Sequence, residues 1–350
     1  MKKVIALIDY KNRFGSKHFD VPYRSGMDKK LLAEEFKKMN FHLEFRSFID
    51  IANVEGIDKE AVYIYTSSED ENYLYKNFIE DIVLYIEEAG GCALPSYKYL
   101  RSNNNKVYME LLRNSTNDKK LLSIHSCVFG TKEEFLNSIE KIKFPVIVKT
   151  AEGAGATGVF KAKSKQELIR TVNKISSSKN TLKDIKDKGR SIKHKNYIKE
   201  STNRKKFIVQ NMIEGLENDW KVYFFYDKLY IFYRPIFKHR DFKASGGGYD
   251  NYQYGEDAPK PEGLFEFVST VMKYFNVPHA SLDIAYDGKN FHLIEIQFLY
   301  FGTAGIPYSK GYYDLNNNFR YVADKLTIEK VYANSVAKFI KNNESSLRKK

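Results

Sequence analysis

The stretch "FHLIEIQF" (Phe291–Phe298) is the part of the sequence on which the fold prediction depends. It is mostly apolar, but Glu295 and Gln297 interrupt it two positions apart. Because side chains two apart on a β-strand lie on the same face, a carboxylate and a carboxamide would be held side by side. A solvent-facing edge strand would explain this pattern, and so would a metal site.

The segment before this stretch supplies a further carboxylate. The sequence "SLDIAYDGKNFHLIEIQF" (281–298) is typical of a β-hairpin, with Asp283 on its first strand. Magnesium prefers hard oxygen ligands, usually one or two carboxylates plus phosphate oxygens. Asp283, Glu295 and Gln297 are therefore predicted as metal ligands.

A shared face would constrain the register of this hairpin. Asp283 must then pair with Glu295 and not with Ile294, which requires an odd-numbered loop such as Gly-Lys-Asn at 288–290. We expect Asn290 to take the left-handed conformation that a three-residue loop needs. A two-residue loop would put the carboxylates on opposite faces and would contradict the metal site.

A glycine-rich loop, "KTAEGAGATGVF" (149–160), follows the strong strand signal "FPVIVKT" (144–150). Small residues let backbone N–H groups wrap phosphate oxygens, and a lysine at the end of the strand can reach a phosphate as a point charge. The spacing is neither that of a P-loop nor that of a Rossmann fingerprint, and a flexible hairpin would look alike. The candidate phosphate-binding residues are Lys149, Glu152, Gly153, Ala154, Gly155, Ala156, Thr157 and Gly158.

The run "IVQNMIEGLEND" (208–219) combines a strand signal with a short polar linker. Such a segment can offer backbone N–H and C=O groups to the edge of an adenine base, although an ordinary acidic turn is the alternative. Glu217, or else Asp219, can accept hydrogen bonds from ribose hydroxyls. The candidate adenine-binding residues are Gln210, Asn211, Met212 and Ile213.

The net charge of +13 is unevenly distributed along the 350 residues. Eleven Lys/Arg and three Asp/Glu fall within 176–206, so +8 lies in this stretch, called here the basic segment. Nucleic-acid binding is not favoured, because no stacking aromatics or zinc-finger spacing accompany the charge. A solvated helical insertion and the attraction of an acidic substrate are the two alternatives.

The sequence shows no sign of a membrane or secretory protein. No run approaches the roughly 18 apolar residues of a transmembrane helix. The apolar run in "MKKVIALIDY" ends at Asp9, too early for a signal peptide. The only cysteines are Cys92 and Cys127, which have no metal-ligand spacing. These features predict a cytoplasmic protein in a reducing compartment.

The order of strand and helix signals predicts an α/β (α+β) fold in three parts. Alternating signals over 1–100 predict a small Rossmann-like N-terminal domain. Residues 101–206 would form a glycine-loop lid subdomain that contains the basic segment. Strand signals dominate from Phe207, so 207–345 would form a C-terminal antiparallel-sheet subdomain that carries the metal site.

In combination, these motifs resemble the ATP-grasp superfamily, most closely RimK-type peptide ligases and other carboxylate–amine ligases. Lys106 in "NNNKVYMELL" is similar to the family's first nucleotide lysine, and Lys149 is similar to the second. The strand "DWKVYFF" (219–225) resembles the family's Asp-x-Arg-Val strand, with Lys221 where arginine is usual. Gln297 likewise stands where the family has asparagine.

The resemblance implies an ATP-dependent ligase that activates a carboxylate as an acyl phosphate and joins it to an amine. It implies ATP and two Mg²⁺ ions, with Mn²⁺ as an alternative ion, and no membrane partner. Arg234 and "DFKASGGG" (241–248) resemble the family's elements beside the γ-phosphate and the acceptor, so the implied catalytic residues are Arg234, Lys221, Lys243 and Ser245. A kinase of the same fold, a nucleotide-binding module without turnover and a homodimeric assembly stay open.

Overall fold

The computed structural model describes residues 1–15, 25–53, 56–153, 157–236 and 251–347. The chain divides into two compact units. Unit 1 comprises Met1–Asn103 and Glu217–Lys350, and unit 2 comprises Asn104–Leu216. None of the helices in the described ranges is long and apolar enough to cross a membrane.

The N-terminal part of unit 1 is a parallel sheet of four strands in the order β2-β1-β3-β4. Positions 4–7 of the first strand are all buried, because one face packs against the cluster of Phe36 and Val336 and the other against that of Ile79 and Val83. This pattern is typical of parallel strands that are covered on both faces. The elements are β1 (Lys2–Ile8), α1 (Lys29–Lys38), β2 (Phe41–Ser47), α2 (Phe48–Asn53), β3 (Val62–Ile64), α3 (Leu74–Glu88), β4 (Cys92–Leu94) and α4 (Tyr97–Ser102).

The C-terminal part of unit 1 is an antiparallel sheet with the order β13-β12-β9-β10-β14-β15, and β11 pairs with β10 beside this path. The buried face of the long helix α11 joins the same hydrophobic core as Tyr223 and Phe225 of this sheet. The elements are β9 (Asn218–Phe225), β10 (Lys228–Pro235), β11 (Gln253–Tyr254), α9 (Leu264–Phe275), β12 (His279–Tyr286), β13 (Phe291–Gln297), α10 (Gly305–Tyr308), β14 (Tyr312–Asp314), β15 (Arg320–Val322), α11 (Ile328–Asn342) and α12 (Glu344–Leu347).

Unit 2 is built on an antiparallel sheet with the order β5-β8-β6-β7. Its core contains Phe129, Phe135, Val148, Leu168 and Phe207. The predicted division at 206/207 separated β8 from β6, whereas the structure pairs these two strands; the three-part division itself stays a prediction. The elements are α5 (Lys106–Asn114), β5 (Ser126–Phe129), α6 (Lys132–Leu136), β6 (Val146–Thr150), β7 (Val159–Ala162), α7 (Lys165–Ile175), α8 (Thr181–Lys193) and β8 (Phe207–Asn211).

The hairpin β12–β13 has the predicted pairing but not the predicted loop. Asp283 pairs with Glu295, as the shared face requires. The ladder also pairs Tyr286 with Phe291, so the loop has the four residues 287–290, an even number. The expected odd-numbered loop is therefore wrong, and a β-bulge restores the register instead.

The bulge lies where the register shifts between Asp283 and the next residue of β12. Leu293 pairs with Ile284 and Glu295 with Asp283, so Ile294 is the extra residue on the bulged strand. The left-handed residue of the loop is Gly288, with φ +89°, and not Asn290 as expected. Asp287 closes this loop, since its side chain accepts hydrogen bonds from the backbone N–H groups of residues 289 and 290.

Candidate functional site

A cluster of two acidic and two basic side chains lies across three neighbouring strands of unit 1. Arg234 on β10 donates to Asp219 on β9, at 2.5 Å from Nε to Oδ1 and 2.8 Å from Nη2 to Oδ2. Arg234 Nη2 also lies 3.0 Å from Asp283 Oδ2 on β12. Lys221 Nζ lies 3.1 Å from the other oxygen of Asp283, so both oxygens of this carboxylate face a cation. We call these four residues the charged cluster.

Two members of the charged cluster are buried, and the other two, Lys221 and Asp283, are half-buried. Arg234 is 4% exposed and Asp219 is 8% exposed. Burial alone would raise the pKa of the Asp283 carboxyl, but Arg234 and Lys221 outweigh it and hold this pKa below the ordinary value. The two cations and two anions sum to zero, which makes their common burial tolerable. Arg234 is therefore a buried arginine and not one on the outer surface of the strand.

The predicted metal ligands lie on the same face of the sheet as this cluster. Asp283 is paired with Glu295, and Gln297, paired with Ser281, follows two positions after Glu295. Two carboxylates and an amide oxygen are the hard donors that Mg²⁺ takes, with the remaining positions left to phosphate oxygens and water. Within the described ranges, no group of three or more His, Cys, Asp or Glu side chains is placed to hold a metal by itself. The donor chemistry fits Mg²⁺, and the ligand roles stay a prediction.

In unit 2, Lys106 contacts the start of the glycine-rich loop. Its Nζ donates to the backbone oxygen of Gly153 at 2.7 Å, and its backbone N–H donates to Ala151 at 2.8 Å. Lys149, at the end of β6, is 7% exposed, as is Lys106. The sequence predicted both lysines but not this contact, which joins the beginning of α5 to the loop.

Two glycines of the loop are required by the local geometry. Gly153 has φ +114°, a conformation that L side chains rarely adopt. A Cβ on Gly158 would lie 2.0 Å from the hydroxyl oxygen of Thr150. The exposed residues Glu152 and Thr157 flank the predicted residues Ala154, Gly155 and Ala156, which lie outside the described residues.

The side chain of Gln210 belongs to a buried polar network. Its amide nitrogen donates to Glu110 Oε1 and to Ser126 Oγ, both at 2.8 Å. Glu110 also pairs with Arg113, whose Nη2 donates to Ser126 Oγ at 2.8 Å. Gln210 is 2% exposed, so its amide is held inside this network, and its role at the adenine stays a prediction.

The residues after β8 leave the sheet. Asn211 still donates its backbone N–H to His125 at 3.0 Å, whereas the backbone N–H groups of Met212 and Ile213 make no hydrogen bond within the described residues. These two residues retain the donors that the predicted adenine linker needs. Glu217 is exposed and belongs to unit 1, where its backbone oxygen accepts from Ile236 at 2.8 Å.

The predicted acceptor-side residues Lys243 and Ser245 lie outside the described residues, as does the rest of the "DFKASGGG" segment. Of the predicted catalytic residues, the structure therefore places Arg234 and Lys221 only. Both belong to the charged cluster, in contact with Asp283.

A cavity of about 40 Å³ lies within unit 1, on the sheet face that carries Asp283. His279 and Tyr332 line it, and neither His279 Nδ1 nor Tyr332 Oη has a hydrogen-bond partner among the described residues. Burial lowers the pKa of His279 to about 3 and raises that of Tyr332, so both side chains are neutral at pH 7. A water molecule needs about 10–15 Å³ of such space, so the cavity has room for a few waters or one small polar group. No sequence signal marked this cavity.

Comparison with known proteins agrees with this architecture. Residues 103–216 match the family model of the RimK-like ATP-grasp domain. A search of curated protein sequences found no match. The match confirms the predicted assignment for this part of the chain: residues 103–216 form a RimK-like ATP-grasp domain.

Three solved structures share the fold at low sequence identity. The D-cycloserine synthetase DcsG is 12% identical, with a TM-score of 0.54 over 96% of this chain and 99% of that chain. The macrocyclase MdnC from Microcystis aeruginosa MRC, bound with precursor peptide MdnA, is 10% identical, with a TM-score of 0.52 over 96% and 99%. A RiPP-associated ATP-grasp ligase from Chryseobacterium gregarium, in complex with ADP and a leader and core peptide, is 12% identical, with a TM-score of 0.51 over 98% and 97%. They confirm the predicted α/β ATP-grasp fold.

Proposed function

We propose that the protein is an ATP-dependent carboxylate–amine ligase. The observation that carries this proposal is the Asp283–Glu295 pair on the sheet face where Arg234 and Lys221 contact Asp283. Acidic metal ligands beside fixed cations are the arrangement that phosphoryl transfer from a nucleotide needs. The ATP-grasp fold supports ATP as the nucleotide substrate.

In the proposed reaction, a carboxylate oxygen of the substrate attacks the γ-phosphorus of ATP, and the bond to the β-phosphate oxygen breaks. The products of this step are an acyl phosphate and ADP. An amine then attacks the acyl carbon, phosphate leaves, and the amine loses a proton as the amide forms. No protein nucleophile is needed.

The proposal gives the chain's own residues the following roles. Lys106 and Lys149 would hold phosphate oxygens together with the N–H groups of the glycine-rich loop. Asp283, Glu295 and Gln297 would hold Mg²⁺, which when bound neutralises the charge of the transferring phosphoryl group. Arg234 would stabilise the developing negative charge, with Lys221 beside it, and Lys243 and Ser245 would lie on the acceptor side.

Two of the structurally similar proteins support a peptide as a candidate substrate. The macrocyclase is bound with a precursor peptide, and the Chryseobacterium gregarium ligase is bound with leader and core peptides. An amino-acid-like carboxylate is the alternative, in line with the D-cycloserine synthetase.

The test is Mg²⁺-dependent release of ADP and phosphate, measured with panels of carboxylates and amines and with mass spectrometry of the products. ADP plus free phosphate and a condensed amide, formed only when both substrates are present, is the expected result. ADP with a stable phosphorylated product would replace the ligase with a kinase. If the wild-type protein turned over no faster than Glu295→Ala with any of these substrates, the protein would be a nucleotide-binding module and not a ligase.

A further inference from the structure

The helix α8 (Thr181–Lys193) of the basic segment presents aliphatic side chains to solvent. Leu182 is 75% exposed, Ile185 is 64% exposed and Ile192 is 80% exposed, and the helix has no buried residue. A helix normally turns its apolar side towards a core. Here the apolar side has no partner within the described residues.

These three residues form one stripe. At 100° per residue, Leu182, Ile185 and Ile192 fall within about 80° of the helix circumference. Gly189 lies within the same arc, and a Cβ there would meet nothing within 4 Å. We call this arc the apolar stripe.

The acidic residues of the helix lie on its opposite side. Asp187 accepts a hydrogen bond from the Tyr197 hydroxyl and another from the backbone N–H of Glu200, at 3.2 Å for the latter. The segment after the helix therefore packs against the acidic side and leaves the apolar stripe uncovered. Asn180 caps the helix by accepting from the backbone N–H of Lys183 at 3.1 Å, so the helix begins at a defined residue.

Lysines border the apolar stripe on both edges. By the same helical geometry, Lys186 and Lys193 follow one edge, and Lys188 follows the other. The matching surface on a partner would have two or three apolar side chains flanked by carboxylates. An amphipathic helix that lies along an apolar stripe, with opposite charges at its margins, has this form.

We propose that the apolar stripe and its lysines bind an acidic, amphipathic peptide helix. A lipid surface fits less well, because three aliphatic side chains make a narrow stripe and α8 contains no aromatic residue for the membrane interface. A nucleic acid would use the lysines but would gain nothing from exposed aliphatic side chains. The proposal concerns binding and holds whether or not the bound peptide is also the substrate of the proposed ligase.

The test is fluorescence anisotropy with the full-length protein and two labelled peptides of equal charge. The first has leucine at helical spacing of three and four with glutamate at the flanking positions, and the second has serine in place of each leucine. We expect the first peptide to bind at least tenfold more tightly than the second at near-physiological salt. Equal affinities would overturn the proposal, since they would show attraction of charge alone.

Variants of the stripe show whether binding occurs at α8. Leu182→Ser/Ile185→Ser/Ile192→Ser and, separately, Lys186→Glu/Lys193→Glu should each weaken binding of the leucine peptide at least tenfold. Leu74→Ser is the matched control, because Leu74 is 68% exposed and lies in unit 1. Unchanged affinity in the triple variant would place the binding elsewhere and refute the inference.

Vesicles provide a separate arm of the same experiment. Phosphatidylglycerol-containing vesicles should not bind the wild-type protein more tightly than they bind the triple variant at near-physiological salt. Vesicle binding that depends on the three aliphatic residues, without binding of the leucine peptide, would assign the stripe to a membrane instead. Circular dichroism of each variant confirms that unit 2 is folded.

Discussion

The guanidinium of Arg234 lies 3.0 Å from the carboxylate of Asp283 and is at the same time held by Asp219. A candidate metal ligand and a candidate catalytic cation are thus parts of one ion network. We therefore expect some substitutions in this network to lower the stability of the fold and others to lower the rate of the reaction.

Asp219→Ala removes the carboxylate that holds Arg234 and leaves a buried guanidinium with one partner fewer. Breaking a buried pair in this way should lower the free energy of unfolding by about 3–5 kcal/mol. Urea denaturation measures this loss. Glu200→Ala is the control, because the Glu200–Arg204 pair is exposed and should change stability by less than about 1 kcal/mol. Equal effects of the two substitutions would show that the charged cluster does not stabilise unit 1.

Glu295→Ala should abolish Mg²⁺-dependent ADP formation while the protein stays folded, because it removes one of the two facing carboxylates. Gln297→Asn keeps an amide oxygen and should retain activity, whereas Gln297→Ala should raise the Mg²⁺ concentration needed for half-maximal rate. The measurement is ADP release as a function of Mg²⁺ concentration. If Gln297→Ala left this dependence unchanged, Gln297 would be withdrawn from the site.

Deletion of Ile294 should remove the bulge without separating the two carboxylates. The ladder already pairs Leu293 with Ile284, so in the shortened strand Glu295 would follow directly and still pair with Asp283. We expect ADP formation within about tenfold of the wild-type rate, corresponding to about 1.4 kcal/mol or less in barrier height. Insertion of one glycine between Leu293 and Ile294 is the contrasting variant, since a second extra residue breaks the pairing, and it should be inactive. Loss of activity in both folded variants would mean that the bulge itself has a role.

His279 should make stability fall as the solution becomes acidic. Because burial lowers its pKa in the folded chain to about 3 from 6.5, the unfolded chain takes up a proton first as the pH falls. The contribution is fully present above pH 6.5 and is lost towards pH 3, with a slope of up to about 1.4 kcal/mol per pH unit. His279→Phe should reduce the slope of unfolding free energy against pH between about 6 and 4 by this amount. A slope that His279→Phe leaves unchanged would contradict the role of this histidine.

Gly158→Ala should distort the glycine-rich loop, because the added methyl group would collide with the hydroxyl of Thr150. We expect a loss of about 1–3 kcal/mol in stability and a weaker affinity for ATP, measured by calorimetry. Thr150→Ala in the same chain should restore part of both, since it removes the colliding atoms. Gly189→Ala is the control: it meets no neighbour within 4 Å and should stabilise α8 by up to about 1 kcal/mol.

The sequence predicted the fold class and the pairing of Asp283 with Glu295 because both depend on the local alternation of apolar and polar residues. Strand and helix signals follow the chain, and Asp283 with Glu295 could share a face in only one register. The bulge was not predictable, since Ile294 is an ordinary β-branched residue and nothing in its neighbours marks it as extra. Whether the loop has an odd or an even number of residues could therefore not decide the strand register.

The remaining differences come from contacts between segments distant in sequence. The hydrogen bonds from Gln210 to Glu110 and Ser126 were not predicted, because both partners are far from it along the chain. The burial of Arg234 could not be predicted for the same reason, because it depends on the ion pair with Asp219 on the neighbouring strand. In both cases a polar side chain on a strand found its partner on another element, which periodicity does not reveal.

The bulge at Ile294 has a consequence for the comparison of relatives. A chain with this bulge and a chain without it differ by one in the number of residues between the two paired carboxylates, yet both present them on the same face. An alignment that fixes this spacing would place the isoleucine of one chain opposite the glutamate of the other and would record a lost carboxylate. Relatives should therefore be aligned by strand pairing before any of them is judged inactive.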